Sequence, residues 1–338
     1  MSDDVRAAAQ RAFDLKTKPR GSLGRLEELA VRIAALQGVA IPPRPEAAIV
    51  VVAADHGVAA EGVSAYPSEV TAQMVANFVS GGAAINVLAR EAGAELIVVD
   101  AGVAVPCDGP GVRSLRFGAG TASIVAGPAM ARDVARAAIE AGEALAAEVV
   151  GSGVGLVGVG EMGIGNTTAA SALAAALLGV PAELVCGRGT GLDEAGLARK
   201  RDAVERALTV NAVDPGDPLG VLAALGGFEI AVLVGVIRGC AAARVPVVLD
   251  GFITGAAALA AARLDAATVE AMIASHRSTE PGHALILEAL GLEPLLELEL
   301  RLGEGSGAAL AIPIVRASLA LLNDMASFDE AGVTDAGR

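Results

Sequence analysis

Two glutamates stand where a carboxylate can meet a ligand. Glu161 lies inside the stretch 158–168, Gly-Val-Gly-Glu-Met-Gly-Ile-Gly-Asn-Thr-Thr, and Glu304 lies between Gly303 and Gly305. Flanking glycines admit close approach and leave the carboxylate free. A ligand that covers such a group strips away its water and raises its pKa toward that of a useful base. Around Glu161 the apolar segment 153–157 reads as a strand and 169–178 as a helix. A strand, a glycine turn and a helix together present backbone N–H groups and a helix N-terminus to an anion, with Thr167 and Thr168 adding hydroxyls. Each segment also suits an ordinary strand-to-helix turn.

A third loop, Cys186-Gly187-Arg188-Gly189-Thr190-Gly191, precedes the basic run Arg199-Lys200-Arg201. Glycine N–H groups and cations in one βα unit make a plausible phosphate cradle. A loop followed by a solvated basic helix face fits the same residues. The histidines are His56, His276 and His283. Asp55-His56 after a strand suits a metal or a proton-transfer pair. His276, Glu280 and His283 are spaced H-x-x-x-E-x-x-H, with Pro281 and Gly282 expected to break any helix aligning them, and two histidines one helical turn apart are missing. Gly158, Gly160 and Gly163 spell G-x-G-x-x-G mid-chain, a weak dinucleotide fingerprint, and no Walker lysine occurs.

The elements that must position these groups alternate. Continuous apolar runs at 47–54, 95–100, 153–157 and 245–250 suit parallel strands covered on both faces. The segments 133–150, 169–178, 197–208 and 228–242 read as crossover helices. Such βα units predict an α/β fold, an open parallel sheet with helices on both faces and ligands beyond the carboxyl ends of its strands. Asp55, Asp100 and Asp250 sit at those ends. Alternating 296–302 reads as a further strand leading to Glu304. Helices are expected at 5–13, over 23–36 with Ser22 as N-cap, and at 312–328. Pro42-Pro43-Arg44-Pro45 is a linker, so the two chain ends form a small helical domain (1–41 and 309–338) beside a catalytic domain (46–308).

Composition limits the partners. Twenty-five basic against 39 acidic residues give a formal charge of −14, which argues against nucleic acid or an anionic membrane surface. Three widely spaced cysteines read as thiols of a reducing compartment, and the N-terminus lacks a basic-then-apolar signal, so the cytoplasm is expected. Apolar runs are read as interrupted before about 18 residues, too short to span a bilayer.

Six segments in order resemble one family, the nicotinate-nucleotide–dimethylbenzimidazole phosphoribosyltransferases of cobalamin lower-ligand synthesis. They are Lys18-Pro19-Arg20-Gly21-Ser22-Leu23-Gly24, Ala54-Asp55-His56-Gly57-Val58, Gly160 to Thr168, Gly187 to Gly191, Leu249-Asp250-Gly251-Phe252 and Leu302 to Gly307. The resemblance implies a Rossmann-like sheet domain with a small helical domain. It also implies transfer of 5-phosphoribose from nicotinate mononucleotide to 5,6-dimethylbenzimidazole, with no cofactor and no metal. By the same resemblance Glu304 is the general base, and Glu161 and Gly163 lie near the phosphoribose. Gly189 and Lys200 hold the phosphate, Asp250 reaches ribose hydroxyls, and Gln73 (within 64–73) and Leu302 line the acceptor-base pocket. It further implies a homodimer in which the small domain, with 16–22, covers the partner's cavity. Two other readings remain: a nucleotide-dependent oxidoreductase using the 158–163 glycines, and a carrier that binds an azole or nucleotide without converting it.

Overall fold

The computed structural model describes residues 2–334; Met1 and residues 335–338, at the ends of the expected helical domain, lie outside the described residues. Strands β1 (Glu46–Ala54), β2 (Ala94–Gly102), β3 (Val112–Ser114), β4 (Val154–Met162), β5 (Val247–Leu249) and β6 (Met272–Ala274) form one sheet in the order β3-β2-β1-β4-β5-β6. Every pairing is parallel. The apolar runs become strands because both faces are covered. Along β1, Ala48, Val50, Val52 and Ala54 enter one core while Ala47, Ile49, Val51 and Ala53 enter the other. The order reverses between β1 and β4, which opens a crevice at their carboxyl ends.

On the first face, helices Arg132–Gly151 and Phe228–Ala242 touch backbone to backbone. A Cβ at Gly142 would overlap the Val232 carbonyl, and one at Gly235 the Ile139 carbonyl. At Gly239 it would lie 2.6 Å from the Ala146 Cβ. Small residues thus do the packing in a chain without tryptophan. On the second face, helices Ser2–Asp14, Arg25–Gln37, Ala84–Ala92 and Ser306–Asp324 share the second core with the sheet. The chain ends meet there: Thr17 N–H donates to Ala326 at 3.1 Å and Phe328 N–H to Leu15 at 3.0 Å.

Several expectations are corrected. Strand β4 does not stop at 157 but runs to Met162, so Gly158 and Gly160 lie in the strand and the turn shrinks to 163–165. Those glycines make room for neighbours. A Cβ at Gly158 would stand 3.1 Å from Ile49, and one at Gly160 would lie 2.6 Å from the Glu304 carbonyl carbon. The G-x-G-x-x-G run is therefore no phosphate turn, which removes the geometry behind the oxidoreductase reading. The alternating run 296–302 is not a strand; only Leu296 bridges, to His276, and Glu299 breaks the extension with φ 55°. Gly24, not Ser22, caps the second helix, while the Glu27 carboxylate takes the Leu23 N–H at 3.0 Å and the Lys18 ammonium at 2.8 Å. The C-terminal helix begins at Ser306, inside the expected catalytic domain, and ends at Asp324.

Helices Glu69–Ser80 and Ala84–Ala92 have no counterpart in the sequence reading. By length and hydropathy, 69–92 and Ser306–Asp324 qualify as candidate membrane spans, against the expectation of shorter apolar runs. The first breaks at Gly81-Gly82, and the second lays its apolar side in the core of the second face.

Candidate active site

A cavity of about 530 Å³ opens beyond the carboxyl ends of β4, β5 and β6, on the β4 side of the switch point and at the strand ends where ligands of parallel sheets bind. Glu161, Gly163, Gly189, Leu302 and Glu304 line it, together with Tyr66.

Glu304 owes its position to an unusual backbone. Gly303, Glu304 and Gly305 all take left-handed φ, at 82°, 64° and 85°. For a non-glycine residue this costs about 1–2 kcal/mol, so the surroundings must hold it there. They do. The Asp250 carboxylate at the end of β5 accepts the Gly305 N–H at 3.0 Å and the Gly307 N–H at 2.6 Å. The Glu304 N–H donates to the Glu161 carbonyl at 3.2 Å. The side chain is 6% exposed and its Oε2 has no hydrogen-bond partner among the described residues. Burial raises its pKa; the Ile85 N–H opposes this and the Asp250 charge adds to it. The result is a partly desolvated carboxylate, held by one donor, with an oxygen to spare.

Glu161 sits at the end of β4, and the side-chain amide of Asn166 donates to its Oε2. Burial first, then the Asp250, Glu229 and Glu304 charges, push its pKa up to about 8 against the Asn166 hydrogen bond. Near neutrality it is a carboxylic acid, able to donate as well as accept. A Cβ on Gly303 would overlap its Oε1, and one on Gly163 the Ala54 carbonyl. These glycines let three chain segments converge at van der Waals distance.

The loop 187–191 reaches the cavity through Gly189 and Thr190. Lys200 is fully buried beneath it rather than on a solvated face, and its Nζ donates to the Gly187 carbonyl at 3.1 Å. Burial lowers its pKa, with the Glu280 charge opposing. Asp250 stands behind the wall with both oxygens on backbone N–H groups. Gln73 is exposed on its helix, and the residues of that helix lining the cavity are Val70 and Met74. Leu302 is 55% exposed and forms one wall. Thr167 faces the cavity; Thr168 is buried away from it.

Among the described residues no group of three or more His, Cys, Asp or Glu is arranged to hold a metal. Pro281 starts a helix instead of breaking one, because proline suits the first helical position. His283 lies in that helix, its Nδ1 accepting the Ser278 N–H at 3.0 Å, and burial holds its pKa down at about 3. His56 pairs with Glu229 at 2.6 Å, both buried.

A family model described as Phosphoribosyltransferase matches residues 1–333. The nicotinate-nucleotide–dimethylbenzimidazole phosphoribosyltransferase of Chloroflexus aggregans is 55% identical over 336 residues, covering 99% of this chain and 95% of its own. The chain belongs to that family. Its relative of the same name from Roseiflexus sp. is 53% identical over 335 residues, covering 99% of this chain and 95% of its own. The crystal structure of CobT from Thermus thermophilus superposes with a TM-score of 0.95 at 50% identity, covering 98% of this chain and all of that one. A second crystal structure from the same organism, of nicotinate-nucleotide–dimethylbenzimidazole phosphoribosyltransferase, gives 0.94 at 49% identity, covering 99% of this chain and 100% of that one. The chain is thus an enzyme, a phosphoribosyltransferase of α/β fold.

Some cavity residues of this enzyme escaped the sequence reading. Tyr66 lies within the segment assigned to the base pocket, but nothing in its type or spacing singled it out. Arg301 donates to the Gly189 carbonyl at 3.2 Å and joins two loops distant in sequence. Glu280 was visible only in the histidine spacing, which lacks a zinc signature and gave no sign of its contact with Gly189.

Proposed function

We propose that the enzyme transfers 5-phosphoribose from nicotinate mononucleotide to 5,6-dimethylbenzimidazole, giving α-ribazole 5′-phosphate and nicotinate, in cobalamin synthesis. An imidazole nitrogen attacks C1′ opposite the pyridinium, the N–C1′ bond forms as the glycosidic bond breaks, and nicotinate leaves with inversion. The other ring nitrogen then loses its proton to Glu304. The observation that carries this is the unpartnered oxygen of a partly desolvated Glu304 on the cavity wall, which suits a base of raised pKa. Glu161, largely neutral, and Gly163 face the phosphoribose, while the Gly189 loop takes the phosphate with Lys200 beneath it. Asp250 acts by fixing the Glu304 loop, since its oxygens are occupied by that loop's N–H groups. Leu302, with Met74 rather than Gln73, lines the base pocket.

A homodimer completes the cavity in this reading. Tyr66, which lines the cavity and is 55% exposed, supports a second subunit against that side. The helices of the two chain ends form the small domain, and the free cysteines Cys107, Cys186 and Cys240 fit the cytoplasm. Supplying nicotinate mononucleotide and dimethylbenzimidazole and following nicotinate release tests the reaction. Binding of both without release would leave only a carrier.

A further inference from the structure

The phosphate reading of the 187–191 loop leaves one group unexplained, and that group is an anion. Glu280 is the N-cap of helix Pro281–Leu290, lines the cavity and is 7% exposed. Its Oε1 accepts the Gly189 N–H at 2.9 Å. The loop is wrapped closely on it: a Cβ at Gly187 would overlap Glu280 Oε2, and one at Gly189 would lie 3.2 Å from the Lys200 Nζ. Oε2 has no hydrogen-bond partner among the described residues. Lys200 below feels the Glu280 charge, which helps retain its proton against burial. A donor and a cation suited to a phosphate therefore already face a carboxylate.

We propose that Glu280 is a built-in occupant of the phosphate cradle, holding the 187–191 loop in place in the free enzyme and yielding the Gly189 N–H to the substrate's 5′-phosphate. The inference rests on the phosphoribosyl-transfer reading above. Two anions do not share one N–H and one buried ammonium without strong repulsion, because the low local dielectric magnifies it. The carboxylate keeps a glycine loop ordered that would otherwise lose entropy on binding. It also makes the cradle selective. A phosphorylated ligand replaces the lost contact with its own charge, whereas an uncharged nucleoside has nothing to put there.

Glu280→Gln separates the charge from the scaffold, since the amide carbonyl still accepts the Gly189 N–H. In the full-length protein the KM for nicotinate mononucleotide and the Kd for inorganic phosphate should both fall about tenfold, with kcat changing far less. Should that variant not fold, Glu280→Ala, which likewise removes the competing charge, carries the same expectation for the phosphate Kd. An unchanged KM would show that the charge does not compete. A raised KM or collapsed kcat would show that Glu280 supports the bound substrate directly, and either result overturns the proposal. Wild-type protein that releases no nicotinate, while the Gln variant still binds inorganic phosphate more tightly, would instead overturn the reaction and leave the cradle standing.

Discussion

The backbone N–H of Glu304 donates to the backbone carbonyl of Glu161 at 3.2 Å, so two residues 143 positions apart carry their carboxylates from adjoining main chain. One hydrogen bond ties the proposed base to the proposed phosphoribose wall. Their environments then separate them. Glu161 is deeply buried among other carboxylates and holds a proton near neutrality, whereas at Glu304 burial raises the pKa against the Ile85 N–H, which favours the ionised form.

Glu304→Gln should lower kcat by about 10²–10⁴-fold, the usual range for a lost general base. Nicotinate mononucleotide binding, followed by calorimetry, should change little. In the wild type, activity should rise with pH through the raised Glu304 pKa, because only the ionised form takes the proton. Full turnover by the Gln variant would remove Glu304 from the chemistry.

Glu161 makes stability depend on pH. Its folded pKa of about 8 exceeds the ordinary 4.5. Between those values the folded chain binds the extra proton, so its stabilising effect is complete below 4.5 and fades as pH rises through 8. Glu161→Gln mimics the protonated acid and should abolish that slope. Thermal melting should put the variant level with wild type near pH 5 and ahead by roughly 2–5 °C above pH 8. Parallel melting curves for the two proteins across that range would contradict the assignment.

Gly160→Ala drives a methyl group into the main chain of Glu304 and Gly305. Overpacking of this kind costs about 1–3 kcal/mol. Turnover should suffer more than stability, because displacement falls directly on the base. Comparing kcat with the urea midpoint checks this; equal proportional losses would mean that the loop does not depend on that contact.

Asp250→Asn leaves a single acceptor oxygen for the two N–H groups of Gly305 and Gly307. Losing one hydrogen bond to a charged group costs about 1.5–3 kcal/mol. A lower denaturation midpoint is expected, together with a kcat loss that Asp250→Glu does not restore, since the longer arm misplaces the loop. A direct ribose contact would instead show mainly as a raised KM for the nucleotide.

Strands β1, β2, β4 and β5 were legible because each carries a run of small and branched apolar residues, whereas β3 and β6, three residues each, were too short to read. The helix Phe228–Ala242 was legible because the run between Glu229 and Arg238 is apolar throughout. Glu161 and Glu304 stood out because glycine beside an acid is conspicuous. The glycines of β4 misled, since close approach and chain reversal both ask for glycine, and only the position of the 303–307 loop distinguishes them. The run 296–302 alternates like a strand, but alternation cannot reveal one left-handed residue at Glu299. The partners of Asp250 and Glu280 come from distant segments, so their sequence neighbourhoods carried no trace of them, whereas Lys200 lies in the same βα unit as the glycine loop it holds.

The close contact of Gly142, Gly235 and Gly239 between helices Arg132–Gly151 and Phe228–Ala242 has a practical consequence. A survey of tolerated substitutions would find two intolerant clusters, one around the cavity and one at these three positions. A cell lacking activity would not say which had been struck. At the cavity, folded protein should accumulate to normal levels and turn over slowly. At the helix seam, the surviving molecules should work normally but be few. Abundance, measured beside activity, therefore distinguishes a chemical lesion from an architectural one.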